Sequence, residues 1–194
     1  MITTLDFFLS KLGLLKAGNN TDAFAIGARL QANDLQVVNH AFVVTRSVGG
    51  QNYFNLFETS DPRKPSITNV SNAKPDADQM MLITGIQLLA VTHTTTITEA
   101  NLKTINFDSI KAVEGLANGT LILKSGGKNI VNLLPLWKFV KDGSNQEVGL
   151  YDELHNQPKF IYPNQEIEAN IELGAALPAN TAVKILIHGI ATSK

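Results

Sequence analysis

Residues 120–134 read TLILKSGGKNIVNLL, and these fifteen positions decide the fold class. TLILKS and KNIVNLL are strand-length runs rich in aliphatic residues, joined by Gly126-Gly127, the residue type that reaches positive φ without steric cost. They predict a β-hairpin. Pro135-Leu-Trp137-Lys-Phe139 follows at once, so the single tryptophan stands at the corner where the chain leaves that hairpin.

Outward toward the C-terminus the same logic continues. Ile167, Ala169, Ile171 and Leu173 alternate with Glu166, Glu168, Asn170 and Glu172, the period-2 pattern of a strand with one face in a core. A Pro-Ala-Asn turn leads to a last strand over 183–190, with Val183, Ile185 and Ile187 opposite Lys184, Leu186 and His188.

Toward the N-terminus, Met80 to Thr96 reads as a long strand with Gly85 as a bulge position. Ala23–Leu30, Leu35–Val48 and Tyr53–Thr59 read as β-type runs, and Gly49-Gly50-Gln51-Asn52 reads as a turn joining the last two into a hairpin. Residues 60–78 hold three prolines and little periodicity, which predicts a long surface loop. Residues 141–157 form a second polar loop with a helical turn at Tyr151 to His155. Thr96-Ile-Thr-Glu99 has the form of a capping box, and Asp108 to Leu116 suggests a helical turn ending near Asn118-Gly119.

Residues 4–16 differ in kind. Leu5, Phe8, Leu9, Leu12 and Leu15 fall at helical spacing, with Thr3 or Thr4 as N-cap and Gly18 as a stop. The organisation expected is an amphipathic helix or arm over 1–18 followed by one domain over 19–194. That helix packs on its own domain, or is an arm that docks on a neighbour or an internal membrane. About eight strands, Gly, Pro and Asn turns, no regular βαβ alternation and no fixed-period repeat point to an all-β, jelly-roll-like β-sandwich with small helical insertions.

Composition narrows the function. The chain has 194 residues, no cysteine and a formal net charge of -1, which excludes thiolate chemistry and disfavours an electrostatic nucleic-acid footprint. Charged residues are 17% of the chain, against roughly 25% in ordinary soluble domains. A surface of that kind suits burial against neighbours. The N-terminal segment lacks the basic start of a signal peptide, and no apolar run approaches the roughly 20 residues of a membrane span.

The residues offer little catalytic chemistry. His40, His93, His155 and His188 lie apart in sequence, with no i, i+2 pair of the kind a cupin metal site needs. No Gly-x-Ser-x-Gly elbow is present, and Gly126-Gly127-Lys128 lacks the other residues of a phosphate-cradling loop. Ser125-Gly-Gly-Lys128 matches a Ser-x-x-Lys string whose two glycines oppose the helical turn that chemistry requires. Asp76, Asp78, Asp152 and Glu153 fall short of the six to eight convergent ligands of a calcium site. Trp137, Phe139, Tyr151, Phe160 and Tyr162 form a candidate stacking platform, with only Lys138, Lys141 and Lys159 interleaved.

The stretches ANGTLILKSGGKNIVNLLPLWKF (117–139), PKFIYPNQEIEANIEL (158–173) and ALPANTAVKILIHGI (176–190) resemble those of bacteriophage structural proteins of the jelly-roll type. The likeness lies in an extended hairpin leading to a Leu-Pro-Leu corner, and in a Pro-Asn-Gln turn opening a penultimate strand. It implies a capsid or capsid-associated subunit that assembles as a homo-oligomer, trimer or pentamer, with other virion proteins as partners. It implies no enzyme activity, no cofactor, no metal and no specific nucleic-acid sequence recognition, and a place in the virion after assembly in the host cytoplasm. Candidate interface residues are Leu5, Phe8, Leu9, Leu12, Trp137 and Phe139, with the two long loops beside them. The alternatives are a carbohydrate- or receptor-binding module using Trp137 or Tyr151, and a small hydrolase or isomerase needing a pocket of convergent acids or histidines.

Overall fold

Two antiparallel sheets form the body of the computed structural model, which describes residues 4–17, 21–140, 147–156 and 159–194. Thr3, Gly18 and Lys141, and the side chains of Leu15 and His155, lie outside the described residues. In chain order the elements are α1 (Thr4–Ala17), α2 (Thr21–Gln31), β1 (Gln36–Ser47), β2 (Tyr53–Asn55), β3 (Met81–Thr92), α3 (Glu99–Leu102), β4 (Asp108–Ser109), β5 (Thr120–Ser125), β6 (Lys128–Pro135), β7 (Leu150–Tyr151), β8 (Lys159–Ile161), β9 (Ile167–Glu172) and β10 (Thr181–Ser193). Short 3-10 turns lie at Ile110–Ala112, Leu116–Asn118, Leu136–Phe139 and Glu153–Asn156.

The first sheet has the order β1-β10-β3-β4, with β7 and β8 also pairing β3; the second has the order β2-β9-β5-β6. Inward-facing residues follow the alternation read from the sequence. Phe42, Ile86, Leu88, Ile185 and Ile187 of the first sheet meet Leu121, Leu123, Ile167, Ala169 and Ile171 of the second in one buried cluster. The protein is therefore an all-β sandwich with few helices.

The Gly126-Gly127 hairpin stands as read: Ser125 pairs with Lys128, and both glycines have positive φ, 54° and 75°. The bulge expected near Gly85 also forms. His188 pairs with Gly85 and Gly189 with Ile83, which leaves Thr84 as the extra residue on β3.

Other expectations are corrected. Gly49 to Asn52 does not close a hairpin, because β1 pairs β10 in one sheet and β2 pairs β9 in the other. The turn is a crossing between sheets, bonded to a second crossing beside it: Val48 N–H donates to Thr181 C=O at 2.8 Å and Leu177 N–H to Gln51 C=O at 3.0 Å. A Cβ on Gly49 would sit 2.7 Å from the Asn180 nitrogen, so only glycine allows the crossings to touch.

Ala23–Leu30 is not a strand. Ala23, Ile26, Gly27 and Leu30 are the buried side of α2, at helical spacing, and Asp22 and Arg29 suit the positive and negative ends of the helix. Tyr53–Thr59 supplies only the three-residue β2. The capping box lies two residues later than read: the Thr98 side chain accepts from Asn101 N–H, and Asn101 Oδ1 accepts from Thr98 N–H at 3.0 Å. Residues 60–78 lack a regular strand but are no mere surface loop, since Ile67, Val70 and Ala73 are buried.

α1 and α2 cover one end of the outer side of the first sheet. Phe8 and Leu12 of α1, with Ile26 and Leu30 of α2, bury against Leu82, Phe160 and Val37 in a second apolar cluster. The Phe8 and Phe160 rings meet edge to face at 5.9 Å.

Candidate functional site

A sheet edge is a row of N–H and C=O groups that must be paired, covered or left to water. β1 is an outer strand of its sheet and pairs β10 without irregularity from Gln36↔Ser193 to Ser47↔Ala182. Its outer edge is sealed over one half. Thr45 N–H donates to Ile67 C=O at 2.8 Å. The Asn69 amide stands in for a strand, its Oδ1 accepting from Val43 N–H at 2.8 Å and its Nδ2 donating to Ala41 C=O.

Ion pairs fix the strap that carries Asn69. Arg46 reaches Glu58 at 2.8 Å and also Asp61, and Lys64 reaches Glu99 at 2.8 Å. These pairs are partly exposed, so each fixes geometry more than it adds stability.

The other half of the edge is open. Antiparallel pairing alternates, so once Val43 and Thr45 point outward, Val37 and Asn39 do too. Among the described residues no hydrogen bond reaches the outward backbone groups of Val37 and Asn39. Val38 is 37% exposed beside them. From Leu35 to Thr45 the sequence has no lysine, arginine, acid or proline, the residues that natural edges use against pairing.

The candidate interface residues separate into two groups. Phe8, Leu12 and Phe139 are wholly buried within the chain, and Leu9 is half-buried against the second apolar cluster. Leu5 at 44% and Trp137 at 62% exposed remain outward, with Leu14, Tyr53 and Leu133 also among the exposed large apolar side chains. The stacking platform is not assembled. Phe139, Tyr151 and Phe160 are buried, and Lys138 sits 3.0 Å from Glu153 and 5.4 Å from the Tyr151 ring centre.

Two histidines come closer than their sequence spacing suggests, because β1 and β10 are neighbours: His40 pairs with Gly189, and Ala41 with His188. Burial lowers both pKa values, with Arg63 adding to the effect at His40. His188 Nε2 lies 3.2 Å from Gln87 Oε1, which is a structural use. Among the described residues no group of three His, Cys, Asp or Glu side chains is arranged to hold a metal ion. No helix among them is long and apolar enough to cross a membrane.

No protein-family model matches the sequence, and no curated protein matches it significantly. Among solved structures the chain is similar to one described as the acidic stable capsid structure of Helicobacter pylori bacteriophage KHP30. The two are 8% identical, with 82% of this chain and 98% of that chain covered, at a TM-score of 0.30. A score at that level does not establish a common fold.

Proposed function

We propose that this chain is a structural subunit of a bacteriophage particle, a jelly roll that works without catalysis by packing against copies of itself and other particle proteins. The strand pairing supports the jelly-roll part. β1 with β10, β2 with β9, β3 with β7 and β8, and β5 with β6 form a nested series of antiparallel pairs that alternates between the sheets. Such nesting is the double Greek-key path used by viral capsid and lectin domains. Fold alone does not fix function, so the surface has to carry the rest.

The single observation that carries the reading is the open, uncharged edge of β1 at Val37 to Asn39. An extended segment of a neighbouring subunit adds there by main-chain hydrogen bonds, with Val38 contributing apolar area. A short edge buries less than the roughly 1,000 Å² of a specific interface. The outward Leu5 and Leu14 of α1, the helix that packs next to Val37, supply more. Such a contact between unlike surfaces, repeated, closes into rings of three or five copies. Assembly then proceeds in the host cytoplasm and leaves the subunit in the virion.

The test is the mass of the protein in solution, by native mass spectrometry over a concentration series, for the wild type and for Asn39→Pro. Proline at position 39 removes an N–H that faces away from β10, so the variant keeps its fold and loses the edge. Oligomers in the wild type that disappear in Asn39→Pro are expected. A wild type that stays strictly monomeric at high concentration overturns the proposal.

A further inference from the structure

On the far side of the sandwich from β1, a cleft runs between the start of β6 in one sheet and β8 in the other. Lys128 and Asn129 line one bank and Lys159 the other, with Ile130 and Phe160 as apolar walls. Among the described residues no acidic side chain lines it. Among the described residues, neither Lys128 nor Lys159 has a carboxylate within ion-pairing distance, whereas Lys124, two residues before the hairpin turn, is 3.7 Å from Glu168.

The floor of the cleft supplies a second, independent sign. The alternation of β5 turns Leu121, Leu123 and Ser125 inward, so Ser125 takes a core position. Ser125 is 4% exposed, and among the described residues its hydroxyl has no hydrogen-bond partner. A buried hydroxyl without a partner costs about 1–3 kcal/mol and calls for an explanation in a native structure. An apolar side chain or alanine would fill the same position on an inward face without that cost. Serine is explicable there if something entering the cleft completes its hydrogen bond.

We infer that this cleft is a binding site for a small oxyanion of the phosphate or carboxylate class, held between Lys128 and Lys159, with the Ser125 hydroxyl donating from below. Two unneutralised ammonium groups set the sign of the ligand charge. The Asn129 amide adds a neutral donor, and Ile130 and Phe160 favour an apolar portion attached to the anionic group. The site is separate from the β1 edge, so its fate leaves the assembly reading untouched.

The experiment is titration of the intact protein with inorganic phosphate, and separately with acetate, at constant ionic strength, followed by amide NMR shifts. Saturable shifts confined to residues 124–130 and 159–162 are expected with at least one of the two anions, and which one binds more tightly distinguishes phosphate from carboxylate. Lys159→Gln and Lys128→Gln should each weaken binding by about fivefold or more, because a charge-assisted hydrogen bond is lost. Ser125→Ala should weaken it while leaving the protein folded, and Lys124→Gln should leave it unchanged. Shifts that fail to saturate with both anions, or that persist equally in Lys159→Gln and Lys128→Gln, overturn the inference.

Discussion

The two outer strands β1 and β6 meet the same hazard, an unpaired edge, in opposite ways. β6 departs from regularity twice. Between Leu121↔Leu134 and Leu123↔Val131 three steps of β6 match two of β5, and between Leu123↔Val131 and Lys124↔Asn129 two steps match one. Leu133 sits at φ 50°, Lys128 opens the strand and Pro135 closes it. These are devices that keep another strand from adding. β1 has none of them along Val37 to Asn39 and runs straight beside β10. One edge is blocked by its own backbone, and the other is sealed by Asn69 only as far as Ala41. The contrast teaches that the opening on β1 is selective, since the same chain closes an edge elsewhere.

The largest expected effect breaks the contrast outright. Val38 lies one residue from Asn39, but its N–H points toward Ala191 on β10. Val38→Pro should therefore cost about 2–4 kcal/mol by removing a ladder hydrogen bond and fixing φ. Asn39→Pro should cost about 1 kcal/mol or less. Urea unfolding of both variants measures the difference, and equal losses would show that the open edge is misassigned.

A smaller effect probes β6. Holding a leucine in the left-handed region costs about 1–2 kcal/mol, and glycine adds back about 0.5–1 kcal/mol of lost chain entropy. Leu133→Gly should leave thermal stability equal or raised by about 1 kcal/mol, read by calorimetry. A clear loss would mean that the half-exposed Leu133 side chain carries packing that its exposure conceals.

The smallest effect is pH dependence. Burial lowers the pKa of His40 on β1 and of His188 on β10 below the ordinary value of 6.5. The unfolded chain then binds more protons than the folded one below that value, so stability is full above pH about 6.5 and falls as the solution is acidified through it. Urea midpoints measured between pH 5 and pH 8 should show this slope. It should flatten in the double variant His40→Gln with His188→Gln.

What the sequence made legible was local. Gly126-Gly127 names its own turn, and the alternation in Ile167 to Leu173 and Val183 to Ile190 names the faces, because period 2 is fixed by the strand itself. Partner choice is not local. Nothing between Leu35 and Asn52 states that Phe42 will face Ile187, so the glycines of 49–50 read as a hairpin although they carry the chain to the other sheet. Ala23–Leu30 misled because an eight-residue apolar run suits either element, and the helical spacing of Ala23, Ile26 and Leu30 decides only when α1 and the sheet are there to receive it. The open edge was present in composition, as eleven residues from Leu35 to Thr45 without a formal charge. That run reads as a strand by propensity, and its lack of edge protection has meaning only once β1 lies outermost. In sequence, Ser125 belongs to a Ser-x-x-Lys string that fails as a catalytic motif. Its inward turn follows from the strand period, and its missing partner does not.

The nesting of the strands also bears on how the molecule comes to exist. Pairing of Phe42 with Ile187 joins one end of the sandwich path to the other, and contacts so distant along the chain form slowly. During synthesis β1 leaves the ribosome long before residues 181–193 exist, and until then the edge that takes β10 is bare. The β5–β6 hairpin, whose partners are neighbours in sequence, is free to close meanwhile. A nascent chain of this protein thus carries one edge of β1 unpaired until its final strand is made, and a holding chaperone supplied during translation should raise its soluble yield.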